Sequence, residues 1–285
     1  MKNTSGFVGF LYGTFVGRAV LKVIMSLHMD RIATKFLWSS LSRPVIGWYA
    51  SRNNIPLTKE EKDSFKTFRD FFVRTRDAEG IDMAEGHFIS PCDGWLSAFE
   101  ISDDSCIDIK NSHYRISDFL KDDELAKNYK DGLLLVFRLC ASDYHHYCYV
   151  DNGYQGENHA IPGVLHSVQP IACEKYPVYV LNKRSWCLLT TEHFGPVVQC
   201  EIGALVVGGI FNEKEKSRFC KGSEKGHFEL AGSTIVLLVE KDKVRLTDDI
   251  TEKLKHHEEV RVLMGQYVGD AVEALKCSEP YHEEN

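Results

Sequence analysis

Residues 234–240 read Thr-Ile-Val-Leu-Leu-Val-Glu and directly follow the pair Gly232–Ser233. The run is apolar without interruption, which is typical of a β-strand buried on both faces. After Gly86 the chain consists of similar short runs separated by glycine, proline, asparagine and aspartate. The clearest predicted strands are 133–140, 197–210 and 234–240, with weaker ones at 107–110 and 178–181.

Helical patterns precede most of the strands. Thr58 and Glu61 have the spacing of a capping box, which predicts a helix that places Phe65, Phe68 and Phe72 on its apolar face. A further helix is predicted at residues 117–129. The sequence therefore predicts an α+β fold, a mixed and mainly antiparallel β domain with amphipathic helices at its N-terminal side.

The composition excludes several classes of protein. The chain has 285 residues, 44% hydrophobic and 26% charged, which indicates a globular protein with a substantial core. A net charge of −7 argues against a nucleic-acid partner. The nine cysteines include no C-x-x-C pair, so neither a disulfide scaffold nor a zinc ribbon is expected, and a reducing compartment is the simpler interpretation.

The charge is unevenly distributed. Residues 1–52 contain seven basic residues against Asp30 alone, a balance of +6, so the rest of the chain carries −13. The charge-free run 3–17 is shorter than the roughly 18 residues needed to cross a bilayer. Beyond it, valines face away from Arg18 and Lys22, which favours a helix lying in an anionic membrane surface. The alternative is a helix packed on its own domain or on another subunit.

Four polar motifs lie beside the predicted strands, whereas the common hydrolase and nucleotide-binding motifs are absent from the sequence. Each motif alone is an ordinary turn or a turn feeding a strand. The motifs are SPCDG at 90–94, DYHHYC at 143–148, NKR at 182–184, and KGSEKG at 221–226, which leads into AGST at 231–234.

Taken together, these motifs resemble the phosphatidylserine decarboxylases over nearly the whole chain after residue 60. The most specific block is K-G-x-E-x-G-x-F at 221–228, which ends in the Gly-Ser-Thr motif at 232–234. The N-terminal run FLYGT at 10–14 is similar to the basic, apolar leader of bacterial members. The remaining matching segments are FFVR at 71–74, RL at 138–139, LHSVQP at 165–170 and VVGGI at 206–210.

The resemblance implies a proenzyme that cuts itself between Gly232 and Ser233. The products are expected to be a β chain of residues 1–232 and an α chain of residues 233–285. Ser233 is expected to become a pyruvoyl group, which condenses with the amino group of phosphatidylserine and takes up electron density as CO₂ leaves. No diffusible cofactor and no metal are expected. Residues 1–52 are predicted to form the membrane-associating segment and residues 53–285 the decarboxylase domain.

The resemblance also assigns catalytic roles. Asp93 matches the family's charge-relay aspartate, Ser233 its nucleophile, and His145 the histidine implicated in substrate contact and protonation. The family commonly has D-Y-H-R-x-H where this chain has Asp-Tyr-His-His-Tyr-Cys, so Cys148 stands at the position of the relay histidine.

Three interpretations of that change stay open. Cys148 acts as a thiolate base, provided that its pKa lies well below about 8.5. Alternatively, His145 does both jobs, or a nearby histidine, His159 or His166, takes the role; His166 is also a candidate substrate contact. The third interpretation is a weakly processing or inactive relative. We favour an active enzyme that uses a nearby histidine, because Asp93 and the Gly-Ser-Thr motif are intact.

Two alternatives for the function accompany this hypothesis. The chain could be a membrane-binding relative without catalytic activity, or it could decarboxylate another serine phospholipid such as archaetidylserine. A soluble substrate fits the hydrophobic leader poorly. The expected location is the cytoplasmic face of the cell membrane, as a peripheral protein. The family often pairs as dimers, so a homodimer is also expected.

Overall fold

The computed structural model describes residues 6–26, 29–76, 80–102, 105–109, 112–204, 209–229, 233–256 and 258–272. Its helices are α1 (Gly6–Gly13), α2 (Phe15–Ser26), α3 (Met29–Leu37), α4 (Arg43–Arg52), α5 (Lys59–Ser64), α6 (Phe68–Phe72), α7 (Ile116–Leu120), α8 (Asp123–Lys127), α9 (Pro170–Cys173), α10 (Val178–Leu181) and α11 (Asp248–Lys255). A 3₁₀ turn at Ser40–Ser42 precedes α4.

The strands are short except in the centre of the fold. They are β1 (His87–Ile89), β2 (Gly94–Glu100), β3 (Cys106–Ile109), β4 (Ser112–Arg115), β5 (Leu133–Leu139), β6 (His146–Cys148), β7 (Gly153–Gln155), β8 (His159–Ile161), β9 (Arg184–Thr191), β10 (Pro196–Ile202), β11 (Ile210–Asn212), β12 (Ser217–Phe219), β13 (Glu224–Phe228), β14 (Ser233–Val239), β15 (Val244–Leu246), β16 (Val260–Val262) and β17 (Tyr267–Ala271).

One large sheet organises the described part of the chain. Its strands lie in the order β12-β7-β9-β10-β14-β5-β2-β16, and β8 also pairs with β9. All of these pairings are antiparallel within the described ranges. Two three-stranded sheets, β1-β17-β15 and β11-β13-β6, and the hairpin β3-β4 complete the β structure described. This architecture confirms the predicted α+β class.

β14 is the central strand predicted from residues 234–240, and both of its faces are buried. Val236 and Leu238 belong to one core cluster, which also contains residues of α1, α2 and α7 to α10. Ile235 and Leu237 belong to the other cluster, on the side of β6, β13 and β16. Because neighbouring strand residues point to opposite faces, a strand covered on both sides needs the uninterrupted apolar run seen here.

The predicted capping box is confirmed. The Thr58 hydroxyl accepts from Glu61 N–H at 3.2 Å, and the Glu61 carboxylate accepts from Thr58 N–H at 2.7 Å. The predicted phenylalanine face does not continue along this helix, because α5 ends at Ser64 and a second capping box, Thr67 with Asp70, starts α6. The phenylalanines of α6 pack against Ile46 and Ala50 of α4.

Three segments differ from the sequence prediction. Residues 178–181 form the single turn α10 rather than a strand, since Val180 and Leu181 donate to the Pro177 carbonyl. The strand predicted at 197–210 ends at Ile202, because Gly203 turns away to bond Lys183 and Asn182. The helix predicted at 117–129 is two short helices, α7 and α8, separated by left-handed Lys121.

The N-terminal helices pack against the body through one side. Val8, Leu11 and Tyr12 of α1 and Leu21 of α2 are buried in the first core cluster. Among the described residues no single helix has the length and hydropathy of a membrane span. The helices Gly6–Gly13 and Phe15–Ile24 have that length and hydropathy only when they are taken together, and the chain bends by 100° between them.

Candidate active site

Two of the predicted catalytic residues lie at one edge of the central sheet. Asp93 immediately precedes β2 and Ser233 begins β14, whereas His145 lies between β5 and β6, directly before β6. β5 lies between β2 and β14, and its last residue Leu139 pairs with Ser233. Arg138 pairs with Trp95 on one side and with Thr234 on the other. The register therefore places residues that are 140 positions apart in the chain at the same end of the sheet.

Asp93 is held by an arginine. Its side chain is 5% exposed, and the Arg76 guanidinium donates to Oδ2 at 2.8 Å and to Oδ1 at 2.7 Å. Met264 N–H also donates to Oδ1, at 2.9 Å. The Arg76 guanidinium packs 4.4 Å from the Tyr144 ring centroid. Within the described ranges no hydrogen bond joins Asp93 to a histidine, so this structure does not form an aspartate–histidine relay.

His145 has the hydrogen bonding of a general base. Its Nδ1 lies 2.8 Å from the Asp143 carbonyl, which can only accept, so Nδ1 carries the proton and Nε2 keeps a lone pair. Burial lowers the pKa of His145 to about 4, so the imidazole is neutral at physiological pH. Nε2 is buried and makes no hydrogen bond. A neutral, oriented imidazole with a free acceptor nitrogen can take a proton from a hydroxyl.

The turn before His145 is itself pinned. Asp143 accepts from the Cys140 backbone N–H at 2.6 Å and from Arg261 at 2.8 Å. The His145 ring packs 4.4 Å from Phe72 of α6. These contacts fix both the backbone and the ring of His145.

Ser233 is a buried hydroxyl without a partner. Among the described residues neither its side-chain oxygen nor that of Thr234 has a hydrogen-bond partner, although both residues are buried. Buried unsatisfied hydroxyls are rare and call for a functional explanation. Ser233 and His145 are not hydrogen-bonded to each other here. Phe228, which lies five residues before Ser233 in the chain, donates its backbone N–H to the His145 carbonyl at 2.9 Å. Gly232, the other half of the predicted cleavage site, lies outside the described residues.

A buried ion pair lies on the same face of the sheet as Ser233. Lys225 of β13 donates to Glu201 of β10 at 2.8 Å and to Asn212 at 2.8 Å, and both charged side chains are fully buried. Glu201 pairs with Ile235, two residues after Ser233. This network sets a fixed charge distribution beside the start of β14.

Comparison with known proteins identifies the family. The sequence model of the family described as phosphatidylserine decarboxylase matches residues 68–270. The chain belongs to the phosphatidylserine decarboxylase family.

Similar proteins carry the same name. Phosphatidylserine decarboxylase proenzyme 2 of Clostridium acetobutylicum is 38% identical over 269 residues, which cover 93% of this chain and 92% of that protein. A phosphatidylserine decarboxylase proenzyme of Clostridium botulinum is 37% identical over 95% of each chain. A third, from Desulfitobacterium hafniense, is 33% identical over 92% of this chain and 91% of its own length. These matches confirm the resemblance identified from the sequence.

Cys148 stands where the resemblance places the relay histidine, and its surroundings do not suit a base. The side chain is fully buried, and Sγ lies 3.8 Å from the Ser90 carbonyl. Burial raises the pKa of the Cys148 thiol to about 12. The condition for a thiolate base, a pKa well below 8.5, is therefore not met. The assignment of the base to a nearby histidine stays a prediction.

The other two histidines have partners of their own. His159 stacks on Trp186 at 4.0 Å, on the β8–β9 side of the decarboxylase sheet. His166 Nδ1 lies 3.1 Å from the Tyr12 hydroxyl, and its ring stacks on Tyr176 at 4.5 Å. Neither is hydrogen-bonded to Asp93, His145 or Ser233 in the described structure. The role of His166 in substrate binding remains a prediction.

Sequence reasoning missed two features of this decarboxylase site. Arg76 lies outside the motifs identified in the sequence, whereas the structure pairs it with Asp93. Lys225 belongs to the KGSEKG motif at 221–226, and the structure shows it to be a buried partner of Glu201. The sequence offered one signal for the pair between Lys225 and Glu201. Charged residues within buried strands normally require a partner of opposite charge.

Proposed function

We propose that this chain is the precursor of a pyruvoyl-dependent decarboxylase that converts phosphatidylserine to phosphatidylethanolamine after cleaving itself between Gly232 and Ser233. The observation that carries the proposal is the buried, unpartnered hydroxyl of Ser233 at the first residue of β14. It lies at the end of the central sheet where Asp93 precedes β2. The names of the similar proenzymes support the same activity.

His145 supplies the base for cleavage. Ser233 Oγ attacks the Gly232 carbonyl carbon while His145 Nε2 takes the hydroxyl proton. The bond from Gly232 C to Ser233 N then breaks as that proton passes from His145 to the departing Ser233 nitrogen, which leaves an ester and a free amine. The protonated imidazole is stabilised by its hydrogen bond to the Asp143 carbonyl. Removal of the Ser233 α-proton then expels the Gly232 carboxylate, and hydrolysis of the resulting dehydroalanine releases ammonia.

The surroundings of Ser233 suit a pyruvoyl group. The backbone of β14 is hydrogen-bonded to β5 and β10 on its two sides, so the new N-terminus stays in the sheet after the chain is cut. Such a group supplies an electrophilic carbonyl that takes up electrons as CO₂ leaves an amino acid. In this proposal His145 holds or returns a proton during decarboxylation.

A mass measurement tests the proposal. Purified wild type should give two chains, residues 1–232 and 233–285, and the carbonyl should react with hydroxylamine. Ser233→Ala should remain a single chain, whereas Ser223→Ala, at an exposed serine, should cleave normally. An uncut wild type without a reactive carbonyl would contradict the proposal. Conversion of phosphatidylserine, archaetidylserine and free serine by the cleaved protein separates the alternative substrates.

We also propose that α1 to α4 bind an anionic membrane surface as a peripheral segment on the cytoplasmic face. Their free sides expose large apolar side chains beside an excess of basic residues. The exposed residues include Phe7, Phe10, Phe15, Val16, Val20, Val23, Ile32, Phe36, Trp38, Leu41 and Trp48.

Vesicle binding tests the membrane proposal. The wild type should sediment with phosphatidylserine-containing vesicles, and less with pure phosphatidylcholine. Phe15→Ser changes a side chain that is 82% exposed, so it should weaken binding without affecting folding. Phe211→Ser, at an exposed phenylalanine outside these helices, is the matched control. Equal sedimentation of the wild type and Phe15→Ser would contradict the proposed contact, and vesicle binding without self-cleavage would favour the non-catalytic alternative.

A further inference from the structure

Strands β6 and β13 bring together three side chains that can bind a metal ion. His146 pairs with His227 across the two strands, and Glu224 begins β13. Glu224 Oε1 lies 2.6 Å from His146 Nδ1 and 3.9 Å from His227 Nδ1. One ligand atom from each residue can be chosen so that all three lie within 4.8 Å of one another. We propose that His146, Glu224 and His227 bind a divalent transition-metal ion of the zinc class.

His146 is oriented as a metal ligand. Its Nε2 lies 3.1 Å from the Val73 carbonyl, so Nε2 donates and Nδ1 faces Glu224. Metal-binding histidines usually donate their second nitrogen to a carbonyl or carboxylate in this way, which fixes the tautomer. The ring is also held by stacking on Tyr144, with 4.6 Å between ring centroids.

His227 is the part of the cluster that protein contacts leave unexplained. Both of its ring nitrogens are buried and have no hydrogen-bond partner. Its ring is packed between Phe211 and His146, at 4.9 Å from each. Burying a polar ring without partners is costly, and an ion shared with His146 and Glu224 would remove that cost.

The set of donors selects the ion. Two imidazole nitrogens and one carboxylate oxygen suit Zn²⁺, which binds four ligands tetrahedrally, whereas Ca²⁺ and Mg²⁺ prefer oxygen ligands alone. The Glu224 side chain is 35% exposed, so an ion can enter and water can take the fourth position. Zinc–ligand bonds of roughly 2.0–2.1 Å would open the contact between His146 and Glu224 by a fraction of an ångström.

The ion would cross-link β6 and β13. After β13 the chain continues to Ser233. His146 directly follows His145, and Phe228, next to His227, donates to the His145 carbonyl. The role proposed for the ion is therefore to stabilise the structure around His145. It is independent of the decarboxylation chemistry, and its test does not depend on that activity.

Zinc binding by the untagged full chain tests the site. The Cys220→Ser background removes an exposed thiol that would compete for zinc. After treatment with a chelator, titration with Zn²⁺ against a chromophoric chelator should give one ion per chain and raise the melting temperature.

His227→Phe is the decisive variant, because it keeps an aromatic ring between Phe211 and His146 and removes both nitrogens. It should fold normally, lower zinc affinity at least ~10-fold and abolish the rise in melting temperature. Glu224→Gln should also weaken binding. The matched control is His193→Phe, which removes a histidine that is paired with Asp151 outside the proposed site and should change neither measurement. Absence of stoichiometric binding, or equal zinc affinity in His227→Phe and the parent, would overturn the proposal.

Discussion

Arg76 holds Asp93 through two parallel hydrogen bonds, of 2.8 Å from Nη1 to Oδ2 and of 2.7 Å from Nη2 to Oδ1. The guanidinium thereby occupies both oxygens of the carboxylate that the family resemblance assigns to a charge relay. In the uncut chain Asp93 is therefore an arginine partner, and its effect on Ser233 has to act through the arrangement of the turn that it anchors. If Asp93 acts in self-cleavage as the resemblance implies, Arg76 is expected to be a positioning residue for it.

Arg76→Ala should slow self-cleavage at least ~10-fold, because it leaves the buried Asp93 carboxylate unpaired. Since the Arg76 side chain is 43% exposed, the loss in free energy of unfolding should be smaller than for a fully buried pair, about 1–2 kcal/mol. Arg76→Lys should rescue only partly, because lysine lacks the two-pronged geometry. Cleavage followed by mass spectrometry checks this, with the exposed Arg218→Ala as control. Cleavage of Arg76→Ala at the wild-type rate would contradict a positioning role for Arg76.

His145→Ala should abolish cleavage, because the proposed mechanism uses the unpartnered Nε2 of His145 as the base. Cys148→Ala should still cleave at the wild-type rate, since its thiol is protonated at neutral pH. The cavity left in Cys148→Ala should cost about 1–2 kcal/mol of folding stability. Cleavage time courses are compared at equal fractions of folded protein, which circular dichroism verifies. This comparison separates an effect on cleavage from an effect on folding stability. Loss of cleavage in a well-folded Cys148→Ala variant would show that the thiol takes part in the cleavage reaction.

The rate of self-cleavage should not fall between pH 8 and pH 6 through titration of its base. His145 has its pKa lowered to about 4 by burial, so Nε2 remains unprotonated across this range. Cleavage rates measured over pH 4–8 on freshly refolded precursor test this expectation. A decline centred near pH 6.5, the ordinary value for histidine, would assign the base to a different, solvated histidine.

Folding stability should depend on pH through the same residue. Between about pH 4 and 6.5 the unfolded chain binds a proton at His145 that the folded chain does not, so stability falls as the pH decreases. The contribution of His145 should approach ~3 kcal/mol at the low end. Urea unfolding of the uncut Ser233→Ala protein, compared with the double variant Ser233→Ala with His145→Gln, isolates the contribution of His145. Identical pH dependence of the two proteins would contradict the depressed pKa.

Breaking the ion pair between Lys225 and Glu201 should be strongly destabilising. Lys225→Met leaves a fully buried carboxylate unpaired and should cost about 3–5 kcal/mol. The double variant Lys225→Met with Glu201→Leu should recover part of this loss, which a double-mutant cycle in the Ser233→Ala background measures. Lys253→Ala, which breaks an exposed pair with Asp249, should change stability by less than about 1 kcal/mol. Additive effects at Lys225 and Glu201 would show that they are not coupled.

Local sequence patterns predicted the features that depend on neighbouring residues. The apolar run at 234–240 predicted the central strand, and Thr58 with Glu61 predicted a helix start, because both signals arise within a few residues. The prediction failed at residues 178–181, where valines that favour a strand form one helical turn. There the backbone bonds to Pro177, and Arg184 binds the Val180 carbonyl, which no local pattern indicates.

The sequence by itself determined the family, the α+β class and the candidate residues Asp93, His145 and Ser233, because these are properties of residue type and order. Only the tertiary structure decided their partners. Strand pairing brings Asp93 to Met264, which lies 171 residues further along the chain, and Arg76 binds the same carboxylate. Burial decides that His145 is neutral and that Cys148 keeps its proton, since a pKa depends on the surroundings that folding assembles rather than on the sequence beside the group.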